Sequence, residues 1–190
     1  MKKYGWIAVV LVVAALVSIT IVRRRDRTGL DPEPALSAES LRNMTYQSHG
    51  TRSGKVTITD GRFEDPAGHV WVTMLDTIAW GDVTGDGRTD AVVVLGTNTG
   101  GSGVFHSLAL VSLVDGKPVN IAVADLGDRI KLQGISIEGG KVLVEMVTHG
   151  PSDPMCCPTM KVTRTYRYDG EELRMIKQIP PEIVNTSSPD

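Results

Sequence analysis

The sequence predicts a mainly β domain held behind one membrane-spanning helix, and three observations carry that expectation. An apolar stretch near the N-terminus is long enough to cross a bilayer. From residue 55 onward, short runs of β-branched and aromatic residues follow a period of two. Asp-Gly and Gly-Gly pairs punctuate those runs where tight hairpins need them.

Residues 5–22 read GWIAVVLVVAALVSITIV, 18 positions without an ionisable side chain. At about 1.5 Å per residue the segment spans roughly 27 Å, close to the ~30 Å apolar core of a bilayer. Tyr4 and Trp6 stand at its start, where amphipathic rings favour the headgroup level. A cleaved signal peptide is the competing reading, since Lys2 and Lys3 form a positive n-region. Against it, the run exceeds the usual length of about 7–15 residues and ends in Arg23, Arg24 and Arg25, not at a small-residue cleavage site. The expectation is a retained single-pass anchor over residues 1–24, with the lipid bilayer as its first partner. A strict count of flanking charge would leave the domain in the cytoplasm. A short N-terminus with two lysines is also how exported anchors begin, and the favoured placement is extracytoplasmic, periplasmic or cell-surface.

The net charge of −2 hides an asymmetry: residues 1–27 carry six Lys/Arg and one Asp, which leaves 14 basic and 21 acidic residues beyond them. A domain with that balance repels phosphate backbones, and no basic stripe with interleaved aromatics occurs. Nucleic acid is therefore excluded as an expected partner.

Residues 25–38 form a linker in which Asp31-Pro32-Glu33-Pro34 favours an extended spacer. Ser37 and Ser40 mark a helix start, with Leu41 and Met44 as its buried positions, and about two turns are expected. The β domain runs over residues 39–179. Val56 and Ile58 alternate with Thr57 and Thr59, and Val70, Val72 and Met74 with Trp71, Thr73 and Leu75. Residues 91–95 are continuously apolar between Asp90 and Gly96, as in a strand buried on both faces. Residues 105–114, 119–123, 142–146 and 162–168 supply further strands. Ile130 and Leu132 fall on one phase and Ile135 and Ile137 on the other, so Gly134 is expected to bulge and reset the pleat. Asp115-Gly116, Gly139-Gly140 and Asp169-Gly170 supply the positive φ of hairpin turns. Without intervening amphipathic helices this pattern means an antiparallel sheet domain, a sandwich or a barrel-like meander. Residues 180–190 read as a polar tail.

The most specific local feature is GDVTGDGRTD at residues 81–90. Counted from Asp82, oxygen-bearing side chains fall at the first, third, fifth and ninth places: Asp82, Thr84, Asp86 and Asp90. Gly87 takes the sixth place, and the carbonyl of Arg88 the seventh, a spacing that can bring oxygens to one Ca2+ ion. Val93 stands where an EF-hand has a bidentate Glu, so the loop is not an EF-hand. Over residues 80–95 the sequence resembles the FG-GAP repeat of integrin-like propellers, whose acidic loop leads straight into an apolar strand. Thr84 departs from the Asn or Asp of that pattern, and a single copy cannot build a propeller. The resemblance implies a loop type. The alternative is a turn whose carboxylates cap local backbone amides without metal.

Cys156 and Cys157 are the only cysteines, set in HGPSDPMCCP at residues 149–158. Adjacent Cα atoms lie about 3.8 Å apart, below the usual disulfide range. Three readings stand: a vicinal disulfide acting as redox switch or loop clamp, two inert buried thiols, or a metal pair. The glycine-rich segment 96–103 lacks the ending of a phosphate loop and reads as a hairpin end. Ser102 and His106 lack the strand-to-helix elbow of a serine hydrolase. In layout the chain resembles bacterial envelope proteins that hold a small β domain behind an N-terminal anchor. No catalytic constellation emerges. The expected function is that of a non-enzymatic accessory subunit or binding module of a membrane assembly, stabilised by calcium, with other membrane-protein subunits as partners. Ala14 and Ser18, four residues apart, would admit a neighbouring helix. The competing class is a thiol-redox or hydrolytic envelope enzyme using Cys156 and Cys157 or the acidic loop.

Overall fold

The computed structural model describes residues 36–48, 50–65 and 69–179. The expected anchor at 1–24, most of the linker and the tail at 180–190 lie outside the described residues. Among those described, no helix is long and apolar enough to cross a membrane. The domain is mainly β, with antiparallel sheets and one short helix, as expected.

Helix α1 (Ala38–Arg42) starts from a capping box: the Ser37 side chain accepts from Ser40 N, and the Ser40 side chain accepts from Ser37 N. At five residues it is shorter than the two turns the sequence implies, because Asn43 leaves helical geometry and Met44 lies in the bend that leads into β1 (Thr45–Gln47). Strand β1 pairs with β2 (Lys55–Thr57) as an antiparallel hairpin. Next, β3 (Arg62–Asp65), β4 (Val70–Gly81), β5 (Asp90–Thr99), β6 (Phe105–Val114) and β7 (Lys117–Asp128) form a five-stranded sheet in sequence order. A four-stranded sheet, in the order β11-β10-β9-β8, is made from β8 (Lys131–Glu138), β9 (Lys141–Thr148), β10 (Met160–Tyr168) and β11 (Leu173–Ile179).

Strand β5 lies at the centre of the five-stranded sheet, and its apolar run is buried on both sides. Val92 and Val94, with Leu108 and Leu110 of β6, pack against Val142, Val144, Met146 and Tyr166 of the second sheet. Val93 and Leu95, with Ala109 and Val111, pack against Leu41, Tyr46, Val56 and Ile58 of the α1–hairpin layer. The result is three layers, with each fully buried Val or Leu contributing about 1.5–3 kcal/mol. Tyr46 joins the outer layer to itself: its buried hydroxyl donates to Leu41 O at 2.7 Å, satisfying a carbonyl at the end of α1.

The turns and bulges follow the glycines. Asp115 and Gly116, and Gly139 and Gly140, all take positive φ. In the third pair only Gly170 does so; the Asp169 carboxylate instead accepts from the amides of Glu171 and Glu172. The register of β8 against β9 shifts between Leu132 and Gly134, and this brings Leu132, Ile135 and Ile137 onto one core. A second shift, between Leu110 and Val111, skips Ile121. There the buried Asn120 side chain fills the gap, donating to Leu110 O and Ala122 O. Its Oδ1 accepts from Gln47 N at 2.9 Å, which fastens β1 to β7. Trp71 and Trp80 are exposed, whereas Tyr166 is core.

Replacing Asn120 by Ala strands two carbonyls and one amide, and should destabilise the domain by about 2–4 kcal/mol. Urea unfolding measures it. A loss under about 1 kcal/mol would mean that water replaces the amide.

Candidate functional site

Three places hold the polar chemistry of the domain. The acidic loop joins β4 to β5, and its carboxylates are engaged by the loop itself. Asp82 accepts from Gly85 N through Oδ1 and from Gly87 N through Oδ2, at 2.6 and 2.9 Å. Gly85 and Gly87 both have positive φ, near 80°, which folds the chain back over Asp82. Asp86 accepts from the Arg88 side chain, at 2.6 Å from Nη2, and from Arg88 N at 2.8 Å. That side-chain bond, followed by the backbone one, holds the Asp86 carboxyl below its usual range. Asp90 opens β5, fully buried, and its Oδ2 takes Val83 N and Thr84 N at 2.9 Å each.

The sequence expectation has Asp82, Asp86 and Asp90 converging on one ion. Among the described residues, no group of three or more His, Cys, Asp or Glu is placed to hold a metal. Asp90 Oδ1 and Thr84 Oγ1 are buried without a hydrogen-bond partner. In this arrangement Asp82 accepts from loop amides and Asp86 from Arg88, and the carboxylates do not face one another. Spacing alone does not separate the two outcomes. An Asp-Gly loop reads the same whether its oxygens face one another or its own amides.

The second place is the loop between β9 and β10. Cys156 and Cys157 are joined by a disulfide, and both residues are exposed. Asp153 is the hub of this loop, accepting from Gly150 N, Thr159 N and Thr159 Oγ1 at 2.7–2.8 Å. Those bonds, Gly150 N first, lower its carboxyl below the usual range. Arg129, itself at positive φ, reaches across to Met155 O at 2.6 Å, and its Nη2 also donates to Ser102 Oγ. His149 Nε2 engages the same Met155 carbonyl at 3.1 Å. Ser102 is thus held by Arg129, and no hydrogen bond joins it to His106. The glycine-rich segment is the β5–β6 hairpin end, organised by Asn98, whose amide donates to Gly101 O and Gly103 O.

The third place was not read from the sequence. The turn after β1 leans over one end of the five-stranded sheet and leaves a cleft of about 360 Å³. Ser48 and Gly50 form one wall. Thr97 and Thr99 of β5, Phe105 and Ser107 of β6, and Asp125 of β7 form the other. A Cβ on Gly50 would stand 2.5 Å from Thr97 Cγ2, so only glycine lets the turn approach this closely. His106 also borders the cleft, and burial, opposed by the Val104 backbone and the Asp128 charge, lowers its pKa. Compared with protein-family models, curated proteins and solved structures, the chain matches none of them.

Two predictions follow from the loops. Asp90→Ala removes a buried carboxylate from two amides and should cost about 2–4 kcal/mol in urea unfolding. Asp86→Ala, at an exposed pair, should leave the midpoint nearly unchanged, and equal losses would contradict this division of labour. The Asp153 carboxyl is lower in the folded chain than the ordinary value of about 3.9. Its contribution is therefore complete above that value and disappears as pH falls through the lowered one. The Gly150 and Thr159 amide resonances should move together in that acid window and be insensitive to it in Asp153→Asn. Titration at the ordinary aspartate value would show that these bonds are not made.

Proposed function

We propose that the chain is a non-enzymatic, membrane-anchored envelope protein serving as an accessory subunit of a membrane assembly. The observation that carries this reading is strand β11. It closes one edge of the four-stranded sheet, bonded to β10 alone among the described residues. Met175, Ile176 and Ile179 are each about half exposed along it. Exposed apolar side chains on an edge strand can template a further strand, here on either side of the bulge at Ile176. The apolar stretch at residues 5–22 supports an anchor, and the extracytoplasmic placement of the domain is part of the same proposal.

The thiol-redox or hydrolytic alternative draws its support from the exposed Cys156–Cys157 disulfide. Weighing against it, the groups a catalyst would need are engaged elsewhere: His149 and Arg129 both bind Met155 O, and the acidic-loop carboxylates cap amides.

Full-length protein extracted in mild detergent should migrate as a complex of fixed stoichiometry. Ile176→Asp with Ile179→Asp should reduce it to the single chain while leaving the melting temperature close to wild type. A wild-type chain that migrates alone, or a complex indifferent to both substitutions, would refute the subunit reading.

A further inference from the structure

The cleft under the β1–β2 turn shares no lining residue with β11 and does not rest on the subunit reading. On one face of the five-stranded sheet, Leu95, Ala109 and Val123 belong to the apolar layer beneath α1 and the hairpin. One pleat further on, the same face turns polar: Thr97 on β5, Ser107 on β6 and Asp125 on β7. Ser107 is paired directly with Asp125, and Thr97 with Phe105. Three polar side chains in adjacent strands, at the margin of a core that would accept apolar ones, are not explained by packing.

Two further features mark the cleft as incomplete. Ser48 is buried, and its Oγ has no hydrogen-bond partner among the described residues, a state that native proteins seldom leave unexplained. Phe105 is 51% exposed at the opposite wall, which leaves about half of a large aromatic side chain in water. Asp125 is oriented through Oδ1, which accepts from Gly127 N at 3.0 Å.

The chemistry narrows the ligand. Among the described residues no lysine or arginine lines the cleft, and burial disfavours the charged form of His106, so phosphates and carboxylates find little counter-charge from them. Hydroxyls that donate and accept, one carboxylate that accepts, and one open aromatic face together match a ring bearing several hydroxyl groups. Such a ring offers weakly positive C–H groups to the negative face of an aromatic. The volume falls within the range of small-ligand sites. We propose that this cleft binds a neutral sugar residue, stacked on Phe105 and hydrogen-bonded by Ser48, Thr97, Ser107 and Asp125.

Saturation-transfer NMR on the full chain, held in a detergent without a sugar headgroup, tests this with glucose, galactose, mannose and N-acetylglucosamine as probes. At least one should bind saturably, and Phe105→Ala should weaken it by roughly tenfold, the loss of about one stacking contact. Phe105 is half exposed, so that variant folds; Phe105→Trp should retain binding, and Glu145→Gln, on the other sheet, should not alter it. Absence of saturable binding by all four sugars would overturn the proposal, as would binding indifferent to Phe105→Ala. Tetramethylammonium binding at Phe105 more tightly than any sugar would overturn it in favour of a cation site. None of these outcomes bears on whether the chain joins a complex through β11.

Discussion

Everything in this domain answers to the two-sided burial of β5. A strand that is apolar at every position from 91 to 95 cannot sit at the surface of a single sheet, because one of its faces would stay wet. The α1–hairpin layer covers one face, and the four-stranded sheet covers the other. Asp90 begins the strand with a buried carboxyl group, and two loop amides donate to its Oδ2. The acidic loop is thus a terminator for the central strand as much as a feature of its own.

That division accounts for what the sequence made legible. Apolar runs, period-two alternation and the Gly134 phase change are backbone-periodic signals, and they survive into β4, β5, β8 and β9. Strands β1, β3 and β11 did not announce themselves. Thr45–Gln47 and Arg62–Asp65 are too short to display a period, and Leu173–Ile179 buries only its first residue. Helix α1 was overestimated because Met44 is apolar at a helical spacing, although it packs from the bend before β1. The cleft was invisible for another reason. Ser48, Thr97, Ser107 and Asp125 are scattered in sequence, and only the strand register sets them side by side.

The cysteines and the acidic loop illustrate a limit of spacing arguments. Adjacency made a vicinal disulfide one of three readings, and what distinguishes them is how Asp153, Arg129 and His149 pin the loop around it. In the acidic loop the same carboxylates satisfy either an ion or their own amides. Two residues ahead of Gly87, Gly85 also turns left-handed, and this pair draws the amides onto Asp82. The choice rests on φ angles, which residue spacing does not encode.

The order in which the layers occur along the chain has a consequence for biogenesis. Each of the two larger sheets is a meander of sequence neighbours, so each hairpin closes locally and quickly as it emerges. The cover for one face of β5 is made before the strand itself, from residues 36–58. The cover for the other face is made last, from β8 to β11. A nascent chain ending near Asp128 therefore holds a finished central sheet with one greasy side open, the species most prone to stick to its neighbours. Burial of that side waits for the final four strands.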